Sequence, residues 1–222
     1  MSNKIQAVIF DMDGLMFDTE HLWIKVATKL SKKYGYYQID KNFVVNNLGT
    51  TVVDIKKSFE KLNIPNFNFE KFRGEYIDGM LEDIELNGIP IKKGLLQLLV
   101  YLKQNGYKTA LASSTYRPLI DKYILPIGIE QYFDVIVSGD LVTHGKPDPE
   151  IFNLAVTKLG VQKQNTVILE DSFNGIRAAY ASGCKPVMIP DILQPNEEIK
   201  PMLHKKYKSL LAFLSALKNE EV

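Results

Sequence analysis

The sequence predicts an α/β protein, a doubly wound parallel sheet interrupted after its first strand by a helical insertion. Three observations carry that prediction. An apolar run, Ile5-Gln6-Ala7-Val8-Ile9-Phe10, stops abruptly at Asp11-Met12-Asp13-Gly14. From about Gly88 onward, short apolar runs alternate with segments of helical period, the pattern of βα units that feed a parallel sheet with helices on both faces. Between them, from about Ile39 to Leu86, lies a stretch with helical periodicity and no run that reads as a buried strand.

Composition sets the outer limits. The chain has 222 residues, 45% hydrophobic and 24% charged, which suits one large domain or a domain with a small inserted module. A formal net charge of +1 gives no excess that would draw nucleic acid or a membrane surface. The single cysteine, Cys184, excludes an internal disulfide and fits a reducing compartment. No apolar stretch reaches the roughly 20 residues that span a bilayer. The first strand begins almost at the N-terminus, leaving no room for a signal peptide. The expectation is a cytoplasmic protein, by default a monomer, whose partner is a small molecule rather than nucleic acid or membrane.

The elements follow in order. Asp18 to Tyr34 reads as a helix, with Leu22, Val26 and Leu30 at helical spacing and Asp18-Thr19-Glu20 supplying capping chemistry. His21 and Trp23 fall in its first turns, and Trp23 reads as packing before it reads as function. Val44, Leu48, Val52, Ile55 and Phe59 suggest short helices, as do Phe69, Phe72, Tyr76 and Met80, with Asn63-Ile64-Pro65-Asn66 breaking the run. The division expected is therefore a core of residues 1–17 and 87–222 and a helical cap of residues 18–86. Within the core, helices are expected at Gly94–Gln104, from Pro118, and at Ile151–Leu159, Gly175–Ala181 and Tyr207–Leu217. Strands after the first are expected at Tyr107–Ala112, Phe133–Val137, Thr166–Leu169 and Pro186–Ile189.

Three polar clusters then fall just past the end of a strand: Asp11 with Asp13, Ser113-Ser114-Thr115, and Glu170-Asp171. A fourth, His144-Gly145-Lys146-Pro147-Asp148-Pro149, precedes a helix. In a Rossmann-like sheet these loops converge on one edge. Alone, Asp-Met-Asp-Gly is an ordinary turn and Ser-Ser-Thr an ordinary helix start. Together they hold the residue types of phosphoryl transfer. Carboxylates suit Mg²⁺, serine hydroxyls and turn N–H groups suit phosphate oxygens, a lysine offsets their charge, and a carboxylate can act as nucleophile.

The run hhhhDxDG (h, apolar) at Asp11–Gly14, then Leu111-Ala112-Ser113-Ser114, Gly145-Lys146-Pro147-Asp148-Pro149 and Leu169-Glu170-Asp171-Ser172-x-x-Gly175, resembles the haloacid dehalogenase (HAD) superfamily over essentially the whole chain. The Lys-Pro-x-Pro and Glu-Asp-Ser-x-x-Gly forms, with a helical cap after the first strand, resemble its β-phosphoglucomutase-like branch. The resemblance implies that Asp11 is the nucleophile and Asp13 the general acid/base. It implies Mg²⁺ held by Asp11, the main-chain carbonyl of Asp13, Glu170 and Asp171, and phosphate held by Ser113, the N–H of Ser114 and Lys146.

Mutases of this branch carry a histidine in the first cap helix and an arginine in the next cap loop. This chain has Trp23 and, near the second place, Val52. The resemblance therefore implies a phosphatase acting on a sugar phosphate or nucleoside monophosphate, similar to the pseudouridine-5′-phosphatases and sugar-phosphate phosphatases of the branch. A phosphoglucomutase-type isomerase is the first alternative and a catalytically silent binding protein the second. Trp23, Thr50 and Arg117 are the candidate substrate contacts, Arg117 doubling as a plain helix-start charge.

Overall fold

Ala7–Phe10 forms strand β1, and all four residues are buried. An uncharged run rich in branched and aromatic side chains fits a strand covered on both faces. The computed structural model of the chain describes residues 4–48 and 52–222, so Thr50 lies outside the described residues. Five further strands follow: β2 (Lys108–Ala112), β3 (Val135–Val137), β4 (Thr166–Glu170), β5 (Lys185–Met188) and β6 (Lys205–Lys206). They pair in the order β3-β2-β1-β4-β5-β6 and every pairing is parallel. This is the doubly wound α/β order expected of the sequence, reversing at β1.

Two compact units divide the chain, Met1–Phe17 with Ile91–Val222, and Asp18–Pro90. The second boundary falls after Pro90 rather than at Leu86. Helix α4 runs on to Asn87, and the N–H of Asp18 bonds the carbonyl of Pro90 at 2.8 Å, which keeps both ends of the insertion together.

The insertion holds four helices among its described residues: α1 (Thr19–Tyr34), α2 (Lys41–Asn46), α3 (Val52–Glu60) and α4 (Phe69–Asn87). Its interior is aromatic. Phe59 packs against Phe43, Phe67, Phe69 and Phe72 with ring centroids 4.8–5.7 Å apart. Asp40 and Asn68 cap α2 and α4 by accepting from Phe43 N–H and Lys71 N–H. Asp18 departs from expectation. It stands at the N-cap of α1 without a side-chain capping bond, and its Oδ1 lies 2.7 Å from His21 Nδ1 instead.

In the sheet unit, α5 (Leu95–Gln104), α6 (Arg117–Ile124), α7 (Glu150–Leu159), α8 (Phe173–Ser182) and α9 (Leu210–Lys218) complete the alternation. Ala7, Ile9, Ala110, Ala112 and Ile168 form one core with Phe152, Ala155 and Ala178 from α7 and α8. Their neighbours Val8, Phe10, Leu111, Val167 and Leu169 point to the opposite face and are also fully buried, so both faces are covered.

Some boundaries differ from the sequence expectation. β3 starts at Val135 because Glu130–Tyr132 forms a 3₁₀ turn. Helix α9 starts at Leu210, where Ser209 Oγ accepts from Ala212 N–H. The sixth strand is two lysines long, too short and too charged to register as an apolar run. β4 extends through Glu170, a carboxylate inside a strand and fully buried.

Candidate active site

Register builds the site. Phe10 pairs with Leu111 on one side and Leu169 on the other. One residue further along, Asp11, Ala112 and Glu170 therefore stand level at the carboxyl edge of the sheet. This is the point where strand order reverses, the crevice at which open α/β sheets bind ligands. Asp11 is fixed there by its N–H, which bonds Leu169 O at 3.1 Å. The chain then leaves the sheet at Gly14, whose φ of 81° suits a residue without a side chain.

Lys146 reaches this edge from the turn before α7 and is itself 93% removed from solvent, at 7% exposure. Nζ lies 2.5 Å from Asp11 Oδ1, 2.7 Å from Glu170 Oε1 and 3.4 Å from Ala112 O. The ammonium also stands 4.8 Å from the centroid of the Phe152 ring. Burial works against its charge, but Asp11 and Glu170 outweigh burial and raise its pKa, so it is protonated. Burial also pushes the Asp11 carboxyl up to about 8, Lys146 pulling it back while Glu170 and Asp13 add to the rise.

Glu170 is held from both sides. Its Oε1 takes Lys146, and its Oε2 accepts from Asp171 N–H, Ser172 N–H and Ser172 Oγ–H at 3.0, 2.9 and 3.0 Å. Ser172 Oγ meanwhile caps α8 by accepting from Gly175 N–H. A side chain at Gly175 would overlap the Glu170 carboxylate itself. Gly175→Ala is therefore expected to lower stability by about 1–3 kcal/mol, because the pinned carboxylate cannot give way. Urea unfolding checks it, and an unchanged midpoint would show that Glu170 can move.

Asp11, Glu170 and Asp171 are all buried, and one carboxylate oxygen from each falls within a common 4.8 Å. An all-oxygen anionic set, with burial already opposing the charge on Asp11, fits a hard divalent cation such as Mg²⁺. Glu170 is the most committed of the three, since lysine and the α8 turn engage both its oxygens.

Asp13 is half-buried, and its Oδ2 accepts from Thr115 Oγ1 at 2.8 Å. Ser113 is buried, with its N–H on Val137 O and its Oγ accepting from Thr115 N–H, while Ser114 is exposed. The structure thus brings Asp11, Asp13, Ser113, Lys146, Glu170 and Asp171 to one edge of one unit. Arg117 sits in the first turn of α6 with its guanidinium on Asp121 at 2.7 Å and near Glu130 at 3.8 Å. Trp23 belongs to the helical unit, where its ring lies 5.9 Å from that of Tyr76. Sequence reasoning missed the Thr115–Asp13 bond, the grip of Ser172 on Glu170 and the Phe152 ring beside Lys146. The first two involve residues next to the motifs, but the sequence alone does not say which way they point.

Comparisons with known proteins agree with this geometry. A family model described as haloacid dehalogenase-like hydrolase matches residues 8–189. The chain is 32% identical over 192 residues to a phosphorylated carbohydrates phosphatase of Thermotoga maritima, covering 82% of this chain and 84% of that one. It is 27% identical over 193 residues to hexitol phosphatase B of Escherichia coli, covering 84% of each. Its structure is similar to that of a β-phosphoglucomutase from Clostridium difficile, with a TM-score of 0.74 at 25% identity, covering 97% of this chain and 98% of that one.

Proposed function

Because the chain belongs to the haloacid dehalogenase-like hydrolases, we propose that it hydrolyses a small phosphate monoester, a sugar phosphate or a nucleoside monophosphate, through an aspartyl-phosphate at Asp11. The observation that carries this reading is Asp11 itself: a carboxylate at the switch point, buried, 2.5 Å from the Lys146 ammonium and beside a second acid, Asp13. Relatives named as phosphatases of phosphorylated carbohydrates and hexitols support the substrate class.

A carboxylate oxygen of Asp11 attacks phosphorus as the bond to the ester oxygen breaks. Asp13 gives its proton to that oxygen, and the alcohol leaves. Asp13, now a carboxylate, takes a proton from water as the water oxygen attacks the aspartyl-phosphate. Inorganic phosphate departs and Asp11 is a carboxylate again. Lys146, the Ser113 hydroxyl and the Ser114 N–H hold the phosphoryl oxygens as they change shape. Asp11, Asp171 and the main-chain carbonyl of Asp13 would hold Mg²⁺, with Glu170 next to them. Bound there, the ion offsets negative charge on the phosphoryl group. Trp23, in the helical unit, is the proposed residue of substrate choice.

The test is phosphate release across a panel of phosphosugars and nucleoside monophosphates, with Mg²⁺ and with EDTA. Release that depends on the metal and favours one ester is expected. The likeness to a β-phosphoglucomutase favours a second reading. Conversion of β-glucose 1-phosphate to glucose 6-phosphate without free phosphate would establish it instead. Inactivity on the whole panel and on p-nitrophenyl phosphate would leave a phospholigand-binding protein.

A further inference from the structure

A lysine ammonium rides on a flexible four-carbon stem, so its place depends on what fixes the backbone beneath it. The Lys146 ammonium lies against a group that the proposed reaction alters, because the Asp11 carboxylate beside Nζ becomes part of the aspartyl-phosphate. Phosphoryl oxygens arrive in need of the same ammonium. The backbone end of the side chain must then be set independently of these partners.

Lys146 stands at the tip of a loop that is closed twice. The inner closure is backbone: Asp148 N–H donates to Gly145 O at 3.1 Å, across Lys146 and Pro147. The outer closure is a side chain. Glu150, in the first turn of α7, accepts from Thr143 N–H through Oε1 at 2.9 Å and from His144 N–H through Oε2 at 2.8 Å. His144 Nδ1 lies 3.2 Å from the same Oε2. Both carboxylate oxygens are engaged by backbone donors, which fixes the orientation of the group. Glu150 is itself anchored. Its N–H donates to Asp148 Oδ1 at 2.9 Å, and the next two residues of α7, Ile151 and Phe152, belong to the core of the sheet. The start of α7 therefore fixes the backbone under the lysine and, through the Phe152 ring 4.8 Å from Nζ, the wall beside its tip.

A glutamate in a first helical turn ordinarily does no more than face the positive end of the helix. That role needs a negative charge and no particular reach. A fork onto two successive N–H groups of the preceding loop needs both.

We propose that Glu150 is a positioning residue for Lys146, clamping residues 143–149 onto the start of α7 so that the ammonium stays at Asp11 while the phosphoryl group is transferred. Its effect on turnover rests on the hydrolytic reading above; the clamp itself does not.

The experiment treats the chain, with Mg²⁺, briefly with N-hydroxysuccinimidyl acetate and follows acetylation of each lysine by peptide mass spectrometry, in wild type, Glu150→Ala and Glu150→Asp. Lys158, exposed in the last turn of α7, is the internal reference, and alkylation of the buried Cys184 reports general loosening. Aspartate keeps the charge at the helix start but falls one methylene short of the two N–H groups. In both variants Lys146 is expected to be acetylated about tenfold faster relative to Lys158, with Cys184 still protected. On p-nitrophenyl phosphate, kcat/KM should fall about tenfold in both. Lys146 protected in both variants overturns the proposal. Protection kept in Glu150→Asp and lost in Glu150→Ala also overturns it, since charge at the helix start would then suffice. So does exposure of Cys184 together with Lys146, which would make the loss general, and so does a freed Lys146 with phosphate release unchanged. Wild type inactive on p-nitrophenyl phosphate and on the ester panel would instead bring down the phosphatase reading, while the acetylation ratio still decides the clamp.

Discussion

Asp11→Asn is expected to lower phosphate release by about 10⁴-fold or more while leaving the protein folded. The amide has nearly the shape of the carboxylate but is not a nucleophile toward phosphorus, and it brings one fewer negative charge to a cation. The fold should survive because Lys146 keeps Glu170 Oε1 at 2.7 Å, and because burial already opposes ionisation of the side chain at this position. Acid-quenched enzyme examined by mass spectrometry should carry a phosphoryl group on Asp11 in wild type and none in the variant. Activity above a few per cent in Asp11→Asn would contradict a covalent route.

The second large effect is on stability. Lys146→Met keeps the length of the side chain and removes the ammonium that touches both Asp11 and Glu170. Two buried carboxylates then face each other across the sheet edge with no cation between them, and breaking such a pair costs about 3–5 kcal/mol. The pH dependence has a definite sign. The pKa of Lys146 is raised in the folded state, so its contribution is complete below its unfolded pKa and disappears only under strongly alkaline conditions. Lys146 itself thus stays charged across the neutral range. In the variant the orphaned carboxylates prefer to be protonated, and the deficit should shrink as pH falls from 8 to about 5. Chemical unfolding of metal-free protein at both pH values checks this. A deficit that stays constant or grows toward pH 5 would show that the lysine acts through packing on Phe152 rather than through charge.

Much of this architecture is legible in the sequence, and the reasons are physical. β1 announced itself because a buried parallel strand must be continuously apolar, and its end because two acids and a glycine cannot continue it. Asp11, Asp13, Ser113 and Lys146 could be assigned to one edge because parallel strands end on the same side. What remained hidden were matters of direction and of competing partners. Glu170 reads as a loop acid beside Asp171, yet it ends β4 fully buried, with four donors on it. Asp18 looks like a helix cap, and His21 takes its oxygen. Gly175 stands in the motif with no stated reason until a Cβ is seen to overlap Glu170. β6 carries no apolar signal because two exposed lysines suffice to close the sheet. Hydrophobic period reports which face is covered and is silent about which hydroxyl finds which carboxylate.

The central place of β1 in the sheet also bears on how the chain reaches its native state. The strand that ends just before Asp11 is formed by residues 7–10, yet its two partners begin only at Lys108 and Thr166. On a growing chain it must wait, uncovered and apolar, while the whole helical insertion is made and can fold on local contacts. Pairings of such long sequence separation are slow to close, because loop entropy is surrendered before any contact compensates for it. The last strand to reach β1, β4, ends in the carboxylate that captures Lys146. Assembly of the catalytic edge and completion of the central sheet are thus one late event, and chains halted before it present a bare strand that invites pairing with other molecules.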